Sequence, residues 1–310
     1  MATTGVRLSP LAGTEALERP ARSLWRDAWF QFRRHRLAMV GLFTLSFIVL
    51  ATLVGPYIWT LPTNDIDFSR GLLGPSLEHP FGTDDLGRDL LARALSGGRI
   101  SIAVGLSAVL IAITLGTAIG ALAGYFGRLD SPLMRLTDMF LSLPILPLLL
   151  VIIFLFRDTL RAALGPEVGI FLMIVAVIGI LNWMAVARLV RAQFLSLKQK
   201  EFVEAARAVG DPDMRIIFKH ILPNVLSPVL VAATIGVGGA ILTESTLSFL
   251  GLGFPPDLPT WGRLLYDGKD YIDFAPHWAL FPGMCIFLTV LSINFIGDGL
   301  RDALDPRRGL

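Results

Sequence analysis

Apolar residues fill six long stretches of the chain, 37–59, 100–124, 139–156, 168–187, 225–250 and 279–296, and polar or charged residues collect between them. A helix rises about 1.5 Å per residue, so roughly 20 residues cross a hydrocarbon layer of about 30 Å. Each stretch is therefore expected to be a membrane-spanning helix, which makes the fold class an all-α membrane protein with six spans. The third stretch holds Pro144 and Pro147. Neighbouring helices can satisfy the carbonyls that proline frees, so a kink is expected there and not a break. Ahead of the first span, Trp25, Trp29 and Phe32 recur at helical spacing opposite Arg22, Arg26 and Arg33. That is the pattern of an amphipathic helix lying in the membrane interface. Residues 1–21 mix Gly, Pro, Thr and charges without a period and are expected to form a disordered tail.

Composition excludes the soluble, collagenous and disulfide-rich classes. Hydrophobic residues make up 54% and charged residues 17% of the 310, where a soluble domain carries about 25% charged; the mean hydropathy is +0.64. The single cysteine, Cys285, lies in an apolar run and has no internal partner. The first apolar run is long enough to span, which fits a retained helix better than a cleaved leader. The net charge of +2 is small, but its placement is informative. With the N-terminus in the cytoplasm, nineteen Lys and Arg fall on cytoplasmic segments, seven of them between Arg188 and Lys219. Eight fall outside: Arg70, Arg88, Arg93, Arg99, Arg157, Arg161, Arg263 and Lys269. The positive-inside rule then puts both termini in the cytoplasm.

Two features stand out within the spans. Ala108, Ala112, Gly116, Gly120 and Gly124 repeat every fourth residue, a small-residue stripe that lets helix backbones approach closely in lipid. It faces another helix, of this chain or of a partner. Gly116 and Gly120, with the polar end of the fifth span (Thr243, Glu244, Ser245 and Ser248), are also candidates to line a transport pathway. Charges in the spans are scarce. Glu244 and Asp138 are the exceptions, each costing about 2.5–3.5 kcal/mol if placed centrally. Glu244 is expected to face a wet outer vestibule or to bond a neighbouring helix.

The segment 188–224 carries the most specific pattern. Phe202, Ala205, Ala206 and Val209 form one apolar stripe at helical spacing, and Met214, Ile217, Phe218 and Ile221 form a second. Gly210 between them suits a helix C-terminus, Asp211 an N-cap, and Pro212 a first helical position. A helix-turn-helix with small alanines beside Glu204 has the shape of something seated in a partner's groove. Pro223 marks entry to the fifth span.

Glu204-Ala205-Ala206, then Gly210, then Leu222-Pro223 resembles the EAA loop of ATP-binding-cassette importer permeases. His220 departs from that pattern, which prefers an aliphatic residue there. His79-Pro80-Phe81-Gly82-Thr83-Asp84 with Gly87-Arg88-Asp89 and Gly98-Arg99-Ile100-Ser101 is similar to the segment before the second span in dipeptide, oligopeptide and nickel permeases. Leu247 to Gly253 and Pro259-Thr260-Trp261-Gly262 resemble the outer loop of that subfamily. The likeness covers about residues 22–306 and points to the C-type permease of a pair, given the added N-terminal helix and short outer loop. It implies a type I (MetI-like) permease fold: residues 22–75 the N-terminal helix and first span, 76–98 an outer segment, 99–297 the core with the loop at 198–223, and 298–310 a cytoplasmic tail. It further implies a bacterial inner-membrane location and coupling through Glu204, Ala205, Ala206, Gly210, Leu222 and Pro223 to two ATPase subunits. A second permease, usually a different chain, and an extracytoplasmic solute-binding protein complete the implied assembly, with peptides or similar small solutes as cargo. No role follows for Gly82, Thr83, Asp84, Gly87, Arg88 and Asp89 beyond a contact with one of those partners.

The chain is not expected to be an enzyme by itself. It has no G-x-x-x-x-G-K-[ST] run, its one Gly-Lys pair (Gly268-Lys269) being followed by Asp270. ATP would be bound by the partner ATPases, and no cofactor is expected. Histidines 35, 79, 220 and 277 are scattered, so no metal site is expected. An ion- or proton-coupled secondary carrier and an intramembrane enzyme are the rival readings; both want intramembrane charges or a nucleophile paired with a base.

Overall fold

In the computed structural model residues 24–304 are described. The tail expected at 1–21, and Arg22, Arg307 and Arg308, lie outside them. The architecture is all-helical. A short amphipathic helix α1 (Leu24–Arg34) leads into α2 (Arg36–Ile58), and α3 (Leu90–Tyr125) follows after a long connection. Helices α4 (Gly127–Ser142), α5 (Ile145–Leu164), α6 (Pro166–Ile180) and α7 (Trp183–Leu197) follow. The loop helix α8 (Glu201–Ala208) and the short α9 (Asp213–Arg215) precede α10 (Leu222–Phe249). Helix α11 (Trp261–Gly268) and α12 (His277–Ala303) complete the chain. Five helical stretches are long and apolar enough to cross a membrane among the described residues, and α4 with α5 supplies a sixth if taken as one broken span.

That break corrects the expectation of a kink. The two helices meet at 86° across Leu143 and Pro144. Proline pushes the residue before it out of the helical region, and Leu143 is extended at φ −79°, ψ 137°. Pro147 sits in the first turn of α5, where a missing N–H costs no helical bond. Helix α4 is amphipathic and held to α7 by ion pairs Asp130–Arg191 and Asp138–Arg188, both at 2.5 Å. Asp138 is thus paired and exposed.

Other boundaries shift as well. Helix α3 has 36 residues, about 54 Å at the helical rise, so the boundary expected at 98–99 falls inside it. Helix α7 ends at Leu197, next to the loop expected from 198, whereas α12 continues to Ala303, into the expected tail. The bundle has two distinct ends. The segments 59–89 and 250–276 gather at one, here the cap end; α1, the α3–α4 junction and α8 lie at the other, the loop end. Helix α1 is anchored by Phe32, buried against Ala38, Ala303 and the backbone at Gly299. Trp29 stacks on Phe32, and the Arg33 guanidinium lies 6.0 Å from the Trp29 ring centroid rather than on the opposite face.

The small-residue stripe packs within the chain. A Cβ on Gly116 would stand 2.6 Å from Val186 Cβ, and one on Gly124 would stand 2.5 Å from Phe194 Cβ, both on α7. Gly120 meets Ala187 and Val190 on the same helix, and Gly179 of α6 packs on the Ala108 carbonyl.

Candidate functional site

The loop end presents α8 and the turn after it. Val203 and Ala206 are buried with Ile216, Ile217 and Ile221 in one apolar cluster that includes Val190 and Phe194 of α7. The predicted stripes are therefore only half right. Ala206, Ile217 and Ile221 face inward, while Phe202, Met214 and Phe218 are exposed and Val209 is 87% exposed. Glu204 and Ala205 are exposed beside them. Gly210 has φ +90°, the left-handed conformation expected of a helix terminator. The next cap differs from expectation: Pro212, not Asp211, is the N-cap of α9. Asp211 instead accepts from Arg215 at 2.8 Å and stands 3.1 Å from His220 Nε2. Arg215 first and His220 second hold its carboxyl below the usual carboxylate range. His220 thus ties the turn to the start of α10, a role hidden in its departure from the aliphatic pattern.

Residues Ile216–Ile221 form a π-helical turn immediately before Leu222-Pro223. Pro223 has no N–H and its ring would clash with the carbonyl four residues back in an α-helix. The wider turn accommodates it, and Leu222 N donates to Ile217 O, five residues earlier. Such turns recur at functional sites.

At the cap end the structure brings together motifs that the sequence left without a role. Asp89 caps α3 by accepting from Ala92 N, takes a second bond from Trp59 Nε1 at 2.9 Å, and stands 2.8 Å from His79 Nδ1. Asp84 accepts from Arg88 Nε at 2.6 Å and from the Arg88 and Leu86 amides. Thr83 Oγ1 donates to Arg70 O at 2.5 Å and accepts from Leu73 N. Gly82 and Gly87 have φ of +80° and +75°, and each lies where a Cβ would strike the neighbouring segment. Thr83, Asp84, Arg88 and Asp89 are all buried. They build the cap from inside and are not available as a partner-contact surface.

Arg93, fully buried, was missed by the sequence reading. It donates to the carbonyls of Thr63 and Pro256 and to Asn64 Oδ1, so it joins the two cap segments. Asp84 and Asp267 each lie 3.9 Å from it. Burial raises the Asp267 carboxyl against the pull of Arg263 at 2.8 Å.

Glu244 joins the cap to the bundle. It is fully buried, so a wet vestibule is excluded and the bond to a neighbouring helix holds. Ser101 of α3 donates to Oε2 at 3.2 Å and Ser248 to Oε1 at 2.7 Å. Ser101 Oγ also accepts from Trp261 N, and Trp261 Nε1 donates to Ala94 O. Trp261 lies over Gly98, and Ser245 packs on Gly262. Of the residues expected to line a pathway, Gly116, Gly120, Glu244, Ser245 and Ser248 are buried in packing within this chain. Thr243 is partly exposed and its hydroxyl donates to Gly239 O in its own helix.

The profile of the family described as "Binding-protein-dependent transport system inner membrane component" matches residues 112–309, and that of "N-terminal TM domain of oligopeptide transport permease C" matches residues 23–75. The chain belongs to this permease family. The permease is 43% identical over 288 residues to "Dipeptide transport system permease protein DppC" of Alkalihalophilus pseudofirmus, covering 93% of this chain and 91% of that one. It is 43% identical to "Oligopeptide transport system permease protein OppC" of Haemophilus influenzae, covering 94% and 92% of the two chains. "Glutathione transport system permease protein GsiD" of Pectobacterium atrosepticum is 40% identical, with 94% and 93% covered. Among solved structures, the MetNI methionine ABC transporter in inward-facing conformations has a chain of the same fold. Its TM-score is 0.55 at 20% identity, covering 70% of this chain and 96% of that one. The permease is the multi-pass membrane subunit of an ATP-binding-cassette importer in the bacterial inner membrane. A secondary carrier finds no support among these relatives.

Proposed function

We propose that the permease passes di- or oligopeptides, or similar small solutes such as glutathione, through a pathway formed with a second permease. Its nearly full-length likeness to transporters named for those solutes supports this cargo class. ATP is bound and hydrolysed by two partner ATPases at the loop end, which is the cytoplasmic end, with six crossings and both termini inside. A solute-binding protein delivers cargo at the cap end. This chain supplies no catalytic group or cofactor.

The observation that carries the coupling role is the two-sided character of the loop. Val203, Ala206, Ile216, Ile217 and Ile221 anchor it to the bundle, while Phe202, Val209, Met214 and Phe218 are exposed on the same loop as Glu204 and Ala205. Exposed apolar patches mark protein or membrane interaction sites, and the carboxylate of Glu204 within this one suits a protein partner. Glu204→Arg reverses that charge without touching the anchored face. When the tagged permease is purified from native membranes in mild detergent, wild type is expected to bring ATPase subunits and a second permease. The variant is expected to lose the ATPases, keep the second permease and retain its melting temperature. ATPase recovery equal to wild type would refute the docking role.

A further inference from the structure

Tyr125 is the last residue of α3 and is buried, and contacts from three parts of the loop converge on it. Its hydroxyl donates to Asp213 Oδ1 at 2.5 Å, just past the Gly210 turn. Its carbonyl accepts from Lys198 Nζ at 2.5 Å, at the end of α7. The Lys198 ammonium and the Arg207 guanidinium of α8 lie 5.4 and 5.9 Å from its ring centroid, within reach of cation–π attraction. A cavity of about 520 Å³ opens beside it, lined by Tyr125, Arg128, Lys198, Arg207 and Asp213 among others. The Tyr125 ring also packs in the apolar cluster that holds Val203, Ala206, Ile216, Ile217 and Ile221, so the polar contacts of its hydroxyl and carbonyl add direction to a packed junction.

The far end of α3 is fixed just as firmly, through Asp89 to Trp59 and His79 and through Arg93 to Thr63 and Pro256. Between the two ends run 36 helical residues with no proline. Sharp helix kinks arise at prolines, Gly/Ser pairs or π-bulges; the one Ser-Gly-Gly step of α3, Ser96-Gly97-Gly98, is packed against Pro259, Thr260 and Trp261, which supports it against bending.

We propose that Tyr125 is a positioning residue that fastens the loop to α3, so that a displacement of the loop by the ATPase is passed into α3. The proposal rests on the docking role of Glu204 and its neighbours. The hydroxyl bond to Asp213 fixes the turn that follows α8, and the Lys198 and Arg207 contacts fix the turn before it and α8 itself. Loop and α3 then form one moving body.

The test uses the complete importer, purified through a tag on the permease, with Cys285→Ala and spin labels at Leu122→Cys on α3 and Lys219→Cys on the loop, both exposed positions outside the proposed docking face. The distance between labels is measured without nucleotide and with ATP plus vanadate. With Tyr125 present it is expected to stay constant within about 2 Å, and in Tyr125→Phe, which keeps the ring and removes the hydroxyl, to change by more than that. Asp213→Ala is expected to match Tyr125→Phe, and Asp213→Asn, which keeps an acceptor oxygen, to match the parent. A parent distance that changes as much as in Tyr125→Phe overturns the proposal, as does a constant distance in Tyr125→Phe. Loss of ATPase subunits from Tyr125→Phe also overturns it, since the tyrosine would then be holding the loop in shape for docking. Glu204→Arg separates the two ideas: if that variant keeps its ATPases, the docking role itself has failed.

Discussion

Arg99 repairs a helix to which it does not belong. Pro56 lies inside α2 and has no N–H for the Thr52 carbonyl four residues earlier. Arg99 Nε donates to that carbonyl at 2.7 Å and Nη2 to the Leu53 carbonyl at 2.5 Å, with Tyr57 5.1 Å from the guanidinium. Where water is scarce a free carbonyl has no other donor. Arg99→Ala is therefore expected to destabilise the folded permease by about 2 kcal/mol, read as a lower melting midpoint in detergent. Adding Pro56→Ala returns the missing N–H and should recover about half of the loss. Equal and additive effects of the two substitutions would show that the proline and the arginine are not partners. The sequence marked Arg99 only by its motif and counted it as an outer charge. Glu244 was legible as a costly carboxylate, but not its partner Ser101, because a hydrogen bond across 143 residues leaves no local pattern.

At the scale of elements, periodicity was a sound guide wherever one helix face decides the packing. The small-residue stripe of α3 announced a close neighbour, and α7 is that neighbour. Hydrophobicity was a poor guide to ends and bends, since apolar residues continue through Leu143-Pro144 while the backbone turns by 86°. The loop stripes failed for a related reason. Phe202, Met214 and Phe218 have the spacing of a buried face, yet they are exposed, and periodicity alone does not separate an apolar face packed within the chain from one left uncovered. Glycines on α3 and α10 test the packing argument directly. A side chain at Gly116 would meet the Trp183 carbonyl at 2.7 Å and Val186 at 2.6 Å, whereas nothing lies within 4 Å of a Cβ at Gly239. Gly116→Leu is expected to prevent accumulation of folded permease, because both obstacles lie at or next to backbone and cannot swing away. Gly239→Ala should be neutral or stabilising by about 0.5–1 kcal/mol, as alanine for glycine is in a helix. Similar expression and melting of the two variants would contradict the packing of α3 on α7.

The whole molecule places its two most patterned regions at opposite ends of one helix, and they were unequally legible. Glu204 to Gly210 could be read from the chain because a local helix and turn carry the pattern. The cap could not, since Asp84, Arg93, Pro256 and Asp267 come from segments more than 150 residues apart and meet only after folding. If the loop serves the ATPase and the cap is a separately built structure, damage to one should spare the other. Arg93 offers the cleanest cut. It is fully buried, joins Thr63, Asn64 and Pro256, and sits between two carboxylates, so Arg93→Met leaves Asp84 and Asp267 short of a neighbouring cation. Breaking a buried charge cluster from one side costs about 3–5 kcal/mol, here confined to the cap if the bundle below is held by α3 on α7. Limited proteolysis should then cut Arg93→Met within 60–89 or 250–276, where the wild type resists, while the variant still co-purifies with its ATPases. Glu204→Arg should show the converse, a resistant cap and no ATPase. If Arg93→Met loses its ATPases as well, the cap and the loop end fold as one unit, and α3 is then a structural strut on which both depend instead of a rod between two independent ends.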